Sequence, residues 1–180
     1  VVAGGRSHPE LTAAVAEALG TEIAPVEHRT FASGEIYARF EVSIRGVDLF
    51  LIQTFGEPVN EWLMETLIMI DAAKRASAKR ITVVAPYYPY SRQDKKGRGR
   101  EPISARLVAD LLKTAGADRV MSVDLHAAQI QGFFDIPVDN LYASPVFALD
   151  IEHNFKGQMD DIMVISPDVG GVARARELAK

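Results

Sequence analysis

The second half of the chain alternates short runs of strand length with a longer segment that has the periodicity of a helix. Residues 81–85 and 119–123 are rich in β-branched and other apolar residues, whereas residues 102–115 place apolar side chains three and four positions apart. Pro102 at the start of that segment and Gly116 just beyond its end are typical helix boundaries. Strands that alternate with helices need crossover connections, so the sequence predicts an α/β domain with a parallel sheet.

Similar patterns extend towards both ends of the chain. Ser7 and Glu10 have the spacing of a capping box, so we expect a helix to begin there, with His8 as a helix-start residue rather than a catalytic one. Four apolar residues define the predicted inner face of that helix: Leu11, Val15, Ala18 and Leu19. Further strands are predicted at residues 1–3, 23–26, 36–42, 47–54 and 162–165, and a last helix at residues 172–180.

Residues 61–76 form a predicted helix, capped by Asn60, that is apolar almost all round. A helix with so little polar surface is either deeply buried or part of a subunit contact, so an oligomer is expected. The helix at residues 102–115 has a narrower predicted buried stripe, made of Ile103, Leu107, Leu111 and Leu112. We expect a first domain at residues 1–144 and the start of a second at residues 145–180, with one short helix after Pro145 in an otherwise irregular stretch.

Charge and composition exclude several classes of protein. The formal net charge of −4 argues against a general nucleic-acid binder. No apolar run reaches 18 residues and the first residues lack the pattern of a signal peptide, so no membrane segment is expected. The absence of cysteine excludes disulfides, thiolate zinc sites and thiol nucleophiles, and a cytoplasmic protein is the simplest interpretation.

Basic charge is concentrated between residues 92 and 100, which hold five cations and the single carboxylate of Asp94. Three tyrosines precede this stretch: Tyr87, Tyr88 and Tyr90. Aromatic and guanidinium planes stack on a nucleobase, and Arg92 can bind phosphate oxygens in bidentate fashion. The loop therefore suits a small anionic ligand, with a solvated surface loop as the alternative and packing beneath the loop expected for at least one tyrosine.

Asp124 and His126 follow a predicted strand and stand two residues apart, so extended backbone would turn both side chains to the same side. Such a pair can hold a divalent metal or orient its waters, and Mg²⁺ carried by nucleotide phosphates fits better than zinc. Asp168 is a third candidate ligand, next to glycines at a predicted helix start. The chain lacks a Walker A sequence, a G-x-G-x-x-G fingerprint and a G-x-S-x-G elbow, which leaves phosphoryl-type transfer without a P-loop.

Together these motifs resemble the ribose-phosphate pyrophosphokinase family, also called phosphoribosyl pyrophosphate synthetase. The resemblance runs through nearly the whole chain and rests on nine segments, at residues 43–46, 58–60, 67–72, 74–78, 92–96, 124–127, 129–134, 136–140 and 166–168. It implies two similar domains of the phosphoribosyltransferase type and a homo-oligomer, in this family a hexamer, with ATP bound at a subunit boundary. The implied reaction moves the β,γ-pyrophosphoryl group of MgATP to the 1-hydroxyl of ribose 5-phosphate, giving AMP.

The resemblance also implies roles for individual residues. The turn at residues 31–35 would contact the adenine of a neighbouring subunit's ATP through Phe31, Ser33 and Glu35. The basic loop would supply further ATP contacts, from Arg92, Gln93, Asp94 and Arg100. His126 and Arg92 are the implied catalytic residues, and Mg²⁺ would be held by Asp124, His126 and Asp168. A regulatory site for ADP or phosphate would be lined by Ser43, Arg45, Gln131, Asp139 and Asn140.

Two departures from the family pattern affect these expectations. Ser33 stands where the family turn usually has Asp, so one adenine contact is expected to differ. The chain also ends before the loops that close on the phosphates and grip ribose 5-phosphate, so these 180 residues alone are expected to bind nucleotide without turnover. One alternative is a non-catalytic regulatory subunit of the same assembly. A weaker one is a nucleic-acid binder that uses the basic loop, although the negative net charge argues against it.

Overall fold

The computed structural model describes residues 1–158 and 161–179 of the chain. The strands are β1 (Val2–Gly4), β2 (Val26–Thr30), β3 (Ile36–Phe40), β4 (Asp48–Ile52), β5 (Arg80–Ala85), β6 (Arg119–Val123) and β7 (Val138–Leu141). The α-helices are α1 (Pro9–Leu19), α2 (Val59–Arg75), α3 (Ser104–Ala115), α4 (Ser144–Asn154) and α5 (Val172–Leu178), and a 3-10 helix spans Ala128–Phe133. These elements divide into two units, Val1–Leu141 and Tyr142–Lys180.

A parallel sheet organises the first unit. In the described part of the chain it has five strands, in the order β1-β4-β5-β6-β7, and every neighbouring pair is parallel. The predicted α/β class with a parallel sheet is therefore confirmed. Because all five strands run the same way, the loops that follow β1, β4, β5 and β6 emerge at one edge of the sheet, where α/β proteins bind their ligands.

The hydrophobic core lies between the sheet and the helices α2 and α3. Leu51 of β4, Val83 of β5 and Val120 of β6 are fully buried and occupy neighbouring positions in the sheet. Met69 of α2 and Leu112 of α3 belong to the same core and are also fully buried. Strands covered by helices in this way are apolar along most of their length, which explains why β4 and β5 were recognisable in the sequence.

Helix α1 departs from the prediction at its start. His8 is the N-cap, because its Nδ1 accepts a hydrogen bond from the Leu11 amide at 3.1 Å. The helix-start role expected for His8 is thus confirmed, but the capping box of Ser7 and Glu10 is wrong. The Ser7 hydroxyl is bonded instead to Gln53, at 2.5 Å, in the loop after β4.

The predicted inner face of α1 is also wrong. Thr12 and Ala16 are the buried residues of this helix, whereas Leu19 is 67% exposed. A side chain at Gly4 would collide with Thr12, so α1 lies very close to the end of β1. Only small side chains fit beneath a helix at that distance, so Leu11 and Val15 are half-buried while Ala18 and Leu19 are exposed.

Strands β2 and β3 form a separate antiparallel hairpin that packs on α2 through β3. The bounds of the strand predicted at residues 23–26 are wrong. Ile23 makes an isolated bridge to Val2, and β2 begins at Val26, the last residue of the predicted strand. Pro25 explains the boundary, because its nitrogen has no hydrogen to donate to a neighbouring strand. The 31–35 turn joins the two strands, as predicted.

Helix α2 begins at Val59 with Pro58 as its N-cap, so the cap predicted for Asn60 is wrong. The Asn60 side chain instead accepts a hydrogen bond from the Tyr90 hydroxyl. Part of the apolar surface of α2 is buried, at Met69 for example, and part is open, since Met64 is 52% exposed. A helix that packs on the core with one face and offers another apolar face for contact has this mixture of buried and exposed apolar side chains. The predicted subunit contact stays a prediction.

Helix α3 is rotated relative to the predicted stripe. Ala105, Val108, Ala109 and Leu112 are buried, whereas Leu107 and Leu111 are exposed. Both rows have helical spacing and share Leu112, which is buried as predicted. The helix packs against α2 and the 3-10 helix, and it is the row of Ala105, Val108 and Ala109 that is buried with Leu112. The periodicity alone does not distinguish the two rows.

Strand β7 was missed, because residues 137–157 were expected to be irregular apart from one short helix. It pairs with β6 along Val138–Leu141, and its polar residues Asp139 and Asn140 conceal the strand pattern. An edge strand has fewer side chains to bury, so its sequence is less apolar than that of a central strand.

The second unit consists of helices α4 and α5, which pack against each other, and the segments that join them. Helix α5 confirms the helix predicted from residue 172, but residues 162–165 form no strand, contrary to prediction. No strand lies within residues 142–158 and 161–179 to pair with them, and a strand needs such a partner. Across the described residues of both units, no helix is long and apolar enough to cross a bilayer.

Replacing Leu112 by alanine is expected to lower the free energy of unfolding by about 3 kcal/mol, because a fully buried leucine leaves a cavity. Leu107→Ala on the same helix is the control. Leu107 is 57% exposed, so its truncation should cost less than about 0.5 kcal/mol. Urea unfolding measures both values, and equal losses would contradict this orientation of α3.

Candidate functional site

The basic loop between β5 and α3 folds back on the start of α3. The carbonyl of Gln93 accepts a hydrogen bond from the Ala105 amide at 3.2 Å, and its side-chain Oε1 accepts one from the Ser104 hydroxyl at 2.6 Å. These bonds satisfy groups at the helix N-terminus, which otherwise lack intrahelical partners. Arg92 and Gln93 are thereby fixed at the positive end of the helix dipole, at the ligand-binding edge of the sheet.

A cavity of about 470 Å³ opens beside this helix start. It is lined by Arg92, Gln93, Lys95, Gly97, Glu101 and Pro102. The Glu101 carboxylate closes the loop, because its Oε2 accepts hydrogen bonds from the amides of Gly97 at 2.7 Å and Arg98 at 2.8 Å. Two cations in a concave site of this size favour an anionic ligand such as a polyphosphate. Arg100 is exposed in the same loop but is outside the lining.

The three tyrosines before the basic loop occupy different environments. Tyr88 is buried, donates a hydrogen bond to the Ala105 carbonyl at 3.0 Å and packs edge-on against Phe134. Burial raises the pKa of Tyr88 well above its usual range. Tyr90 donates to Asn60, while Tyr87 is 46% exposed. Tyr88 is thus a tyrosine that packs beneath the loop, as expected for at least one of the three.

Asp94 connects the basic loop to the loop that follows β6. Its side chain is buried and accepts a hydrogen bond from Gln129 Nε2 at 2.8 Å. Gln129 belongs to the 3-10 helix Ala128–Phe133, which begins two residues after His126. A buried charged group needs a partner, so this bond holds the two loops together at the sheet edge.

Asp124 and His126 lie where β6 ends. Asp124 has a left-handed backbone with φ of 48°, so the extended geometry assumed for this pair is wrong. The Leu125 amide between them donates to Asn140 Oδ1 at 3.0 Å, and the Asp124 amide donates to the Leu141 carbonyl at 2.8 Å. Non-glycine residues with this backbone are uncommon and occur often at functional sites.

The donor set at this edge suits magnesium better than a metal that needs several protein ligands. Within the described residues, no group of three or more His, Asp or Glu side chains is placed to hold a metal ion. Mg²⁺ keeps most of its waters and binds through one or two carboxylates together with substrate phosphates. The Asp124 carboxylate has the required chemistry, and the exposed His126 imidazole can donate to a phosphate oxygen or a metal-bound water.

Asp168, the third predicted metal ligand, lies in the second unit. Its Oδ1 accepts a hydrogen bond from the Gly171 amide at 2.8 Å, and its carbonyl accepts one from the Ser166 hydroxyl at 2.7 Å. The residue is exposed and lies just before α5. Its carboxylate therefore orders the start of that helix.

The 31–35 turn lies at the exposed tip of the hairpin. Phe31 is 50% exposed and contacts Tyr37 edge-on, with ring centroids 6.2 Å apart. Ser33, in place of the family's Asp, donates its hydroxyl to Glu35 Oε2 at 2.8 Å. None of the described residues of this turn lines the cavity beside Arg92. The turn thus presents an aromatic ring and a carboxylate outward.

The predicted regulatory residues fall into two groups within one chain. Ser43 and Arg45 line a cavity of about 290 Å³ between β3 and α2. Gln131, Asp139 and Asn140 lie in the 3-10 helix and β7, and none of them lines that cavity. Asp139 is bound at 2.6 and 2.8 Å by one nitrogen of Arg119, a residue of β6.

A buried carboxylate that sequence analysis missed lies at the same edge of the sheet. Glu65 of α2 is fully buried and binds Arg6 twice, through the backbone amide at 2.8 Å and through Nε at 2.5 Å. Gln53 donates to Glu65 at 3.1 Å, and His28 Nδ1 lies 3.7 Å away. The signal available in the sequence was a glutamate within an otherwise apolar helix. If such a carboxylate is buried, it requires a cation or hydrogen-bond donors nearby.

Burial lowers the pKa of the His28 imidazole below its ordinary value of 6.5, an effect aided by Arg6 and opposed by Glu65. His28 is on the face of β2 that is turned towards α2, opposite Ala38 of β3. The imidazole is therefore held neutral where the hairpin meets the rest of the unit.

Comparisons with known proteins show the family of the chain. The N-terminal domain of ribose phosphate pyrophosphokinase matches residues 1–116 of the chain. The ribose-phosphate pyrophosphokinase of Corynebacterium glutamicum is 59% identical over 175 residues, which are 97% of this chain and 53% of that protein. The protein of that name from Bifidobacterium longum is 56% identical over 180 residues, or 100% of this chain and 53% of its own length.

The chain belongs to the ribose-phosphate pyrophosphokinase family.

The crystal structure of phosphoribosylpyrophosphate synthetase from Mycobacterium smegmatis has the same fold, with a TM-score of 0.93 at 56% identity. That match covers 99% of this chain and 59% of the crystallised one. The family indicated by the nine sequence segments is thus confirmed, and so is its phosphoribosyltransferase-type fold. The chain spans about half the length of the curated relatives that it matches.

Gln129→Ala should lower the free energy of unfolding by about 1–3 kcal/mol, because it leaves the buried Asp94 carboxylate without its amide donor. Gln131→Ala is the matched control on the same short helix. Its amide donates only to the Ala128 carbonyl at an exposed position, so a loss below about 0.5 kcal/mol is expected. Urea unfolding compares the two, and a larger loss for the control would refute the role of Asp94.

A second prediction concerns pH. The pKa of His28 is lower in the folded chain than in the unfolded chain. As the pH falls, the unfolded chain therefore binds a proton at His28 before the folded chain does. The stability due to the neutral imidazole is therefore present above pH 6.5 and is lost as the pH falls through the folded pKa. His28→Gln should flatten the decline of unfolding free energy below pH 6.5, measured by urea titrations across pH. An unchanged slope would contradict this assignment.

Proposed function

We propose that the protein transfers the β,γ-pyrophosphoryl group of MgATP to the 1-hydroxyl of ribose 5-phosphate, forming phosphoribosyl pyrophosphate and AMP. The observation that carries the proposal is the junction of two loops at one sheet edge, where the Asp94–Gln129 bond joins the Arg92 loop to the His126 loop. Relatives named ribose-phosphate pyrophosphokinase, 56–59% identical over nearly the whole chain, support the same function.

The residue types at this edge fit the chemistry of that reaction. The 1-hydroxyl oxygen forms a bond to the β-phosphorus and gives up its proton to solvent. The bond from that phosphorus to the α,β-bridging oxygen breaks, and AMP leaves with the bridging oxygen. Negative charge then builds up on phosphate oxygens, where fixed cations and hydrogen-bond donors lower the barrier. Arg92 and Lys95 line the cavity and would bind the phosphate chain, with His126 as a further donor.

Magnesium is part of the proposal. Asp124 and His126 would hold it, and when bound it neutralises phosphate charge. The start of α3 holds Gln93, and so fixes the backbone next to Arg92, through two hydrogen bonds. Most of the rate enhancement would come from alignment of the reacting groups and from electrostatics, without a covalent protein intermediate.

The adenine would be bound by the 31–35 turn of a neighbouring subunit, with Phe31 against the base. Half-exposure of Phe31 at a hairpin tip supports this role, because an aromatic ring held outward offers a stacking surface. The proposal therefore includes a homo-oligomer, a hexamer by resemblance to the family. ADP and phosphate are proposed effectors at the Ser43 and Asp139 groups, and a cytoplasmic location agrees with the absence of cysteine.

The test is an assay of the protein expressed from its complete reading frame. We expect AMP to form from MgATP only when ribose 5-phosphate is present. Arg92→Lys and His126→Ala should each lower kcat/KM by about 10² or more, since both remove donors aimed at the phosphates and lysine lacks the bidentate fork.

Arg75→Ala is the control, because Arg75 is exposed on α2 and, among the described residues, pairs with Asp71 of its own helix. It should leave kcat/KM unchanged. AMP release that does not depend on ribose 5-phosphate, or full activity in both site variants, would overturn the proposed function.

A further inference from the structure

Arg6 connects the buried carboxylate of Glu65 to the residue that immediately precedes the 31–35 turn. Its backbone amide and Nε bind the two Glu65 oxygens, at 2.8 and 2.5 Å. Its Nη1 donates to the hydroxyl of Thr30 at 3.2 Å. Thr30 is the last residue of β2, and Phe31 follows it directly.

The position of Arg6 is strongly determined. Glu65 is fully buried, and a buried carboxylate without its cation is severely destabilising, so Arg6 cannot leave it at low cost. Gln53 adds a donor to Glu65 at 3.1 Å, and the guanidinium lies 5.9 Å from the centroid of the Trp62 ring. The Glu65 carboxylate and the Trp62 ring therefore hold the guanidinium directly, and Gln53 supports it through Glu65.

The loop that carries Arg6 is fixed as well. A side chain at Gly5 would collide with Gln53, so the chain passes directly over that residue. The Gly5 amide donates to the Ile52 carbonyl at 2.9 Å, and the Ser7 hydroxyl donates to Gln53 at 2.5 Å. The backbone on both sides of Arg6 is thus bonded to the end of β4.

The hairpin has fewer restraints near its tip than at its base. Val26 and Phe40, at the base, pack against the hydrophobic core, whereas Thr30 and all residues of the turn are exposed. The outer face of the hairpin carries solvent-exposed ion pairs, such as Arg39 with Glu27 at 3.0 Å, which contribute little to rigidity. The Arg6–Thr30 bond therefore lies where the hairpin has few other contacts with the rest of the unit.

We propose that Arg6, held by Glu65, is a positioning residue that sets the 31–35 turn for the nucleotide through Thr30. The inference rests on the proposed function, in which Phe31 stacks on the adenine of ATP. A turn already oriented in the free protein loses less conformational entropy when ATP binds. The Arg6–Thr30 bond therefore lowers the KM for ATP, although neither residue contacts the nucleotide. The chemistry at the phosphates is separate from this bond, so kcat and the KM for ribose 5-phosphate stay constant.

The experiment is a double-mutant cycle in the protein expressed from its complete reading frame, with steady-state kinetics as the readout. Thr30→Val removes the hydroxyl and keeps the shape of the side chain. We expect it to raise the KM for ATP roughly three- to tenfold, the effect of losing one ordinary hydrogen bond, because the Arg6–Thr30 bond is solvent-exposed. Thr30→Ser keeps the hydroxyl and should restore a KM near that of the parent protein.

Phe31→Ala separates positioning from direct contact. In that background the Thr30→Val change should have no further effect on the KM for ATP, because Thr30 acts through Phe31. Glu27→Gln, on the outer face of the same hairpin, is the control and should leave all kinetic constants unchanged. Thermal unfolding of each variant shows whether a kinetic change reflects loss of folded protein.

The outcomes distinguish the two proposals. If Phe31→Ala raises the KM for ATP while Thr30→Val does not, or if the two effects add, the positioning role is overturned and the proposed function stands. If Phe31→Ala has no effect, the turn does not contact nucleotide, and the positioning role fails with it. A fall in kcat with Thr30→Val would also overturn the inference, because the bond would then affect the reacting groups.

Discussion

Parallel strands all end at the same edge of a sheet, and this constraint decides which parts of the chain can act together. The loops after β5 and β6 are about 35 residues apart in sequence, as the bond between Asp94 and Gln129 shows, yet they meet because their strands are neighbours. Helix α3 crosses from one strand to the next, and its N-terminus faces the same edge. Backbone donors, guanidinium groups and the imidazole of His126 are gathered there as a consequence of topology.

The loops at that edge are ordered by buried polar groups as well as by apolar residues such as Tyr88, Leu125 and Ile130, which belong to the core. Asp94 is buried against Gln129, Asn140 binds the amide of Leu125, and Glu65 binds Arg6. Each bond satisfies a group that would be costly to bury alone, so each removes alternative loop conformations. In the proposed enzyme this matters because phosphoryl-type transfer depends on groups that are already in place when the substrate binds.

Much of the central architecture was predictable because it depends on local patterns. The strands β4 and β5 are largely apolar, Gly116 marks the end of α3, and the basic loop is visible as a cluster of charge. The errors have a common cause. The inner face of α1 depends on how closely it approaches β1, that of α3 on its packing against α2 and the 3-10 helix, and β7 is a strand only because β6 lies beside it. The buried faces of α1 and α3 and the existence of β7 therefore cannot be predicted from the sequence of any one segment.

By itself, the sequence determined the α/β class, the family and the residue types available for binding a polyphosphate, because these follow from periodicity and from motifs of adjacent residues. Only the tertiary structure decided that Tyr88 and Asp94 are buried beneath the basic loop and that Asp124 adopts a left-handed backbone. It also decided that Arg6, Thr30 and Glu65 form one connected group. The physical reason is that a polar side chain takes its role from the partner that satisfies it, and that partner can be 59 residues away, as Glu65 is from Arg6.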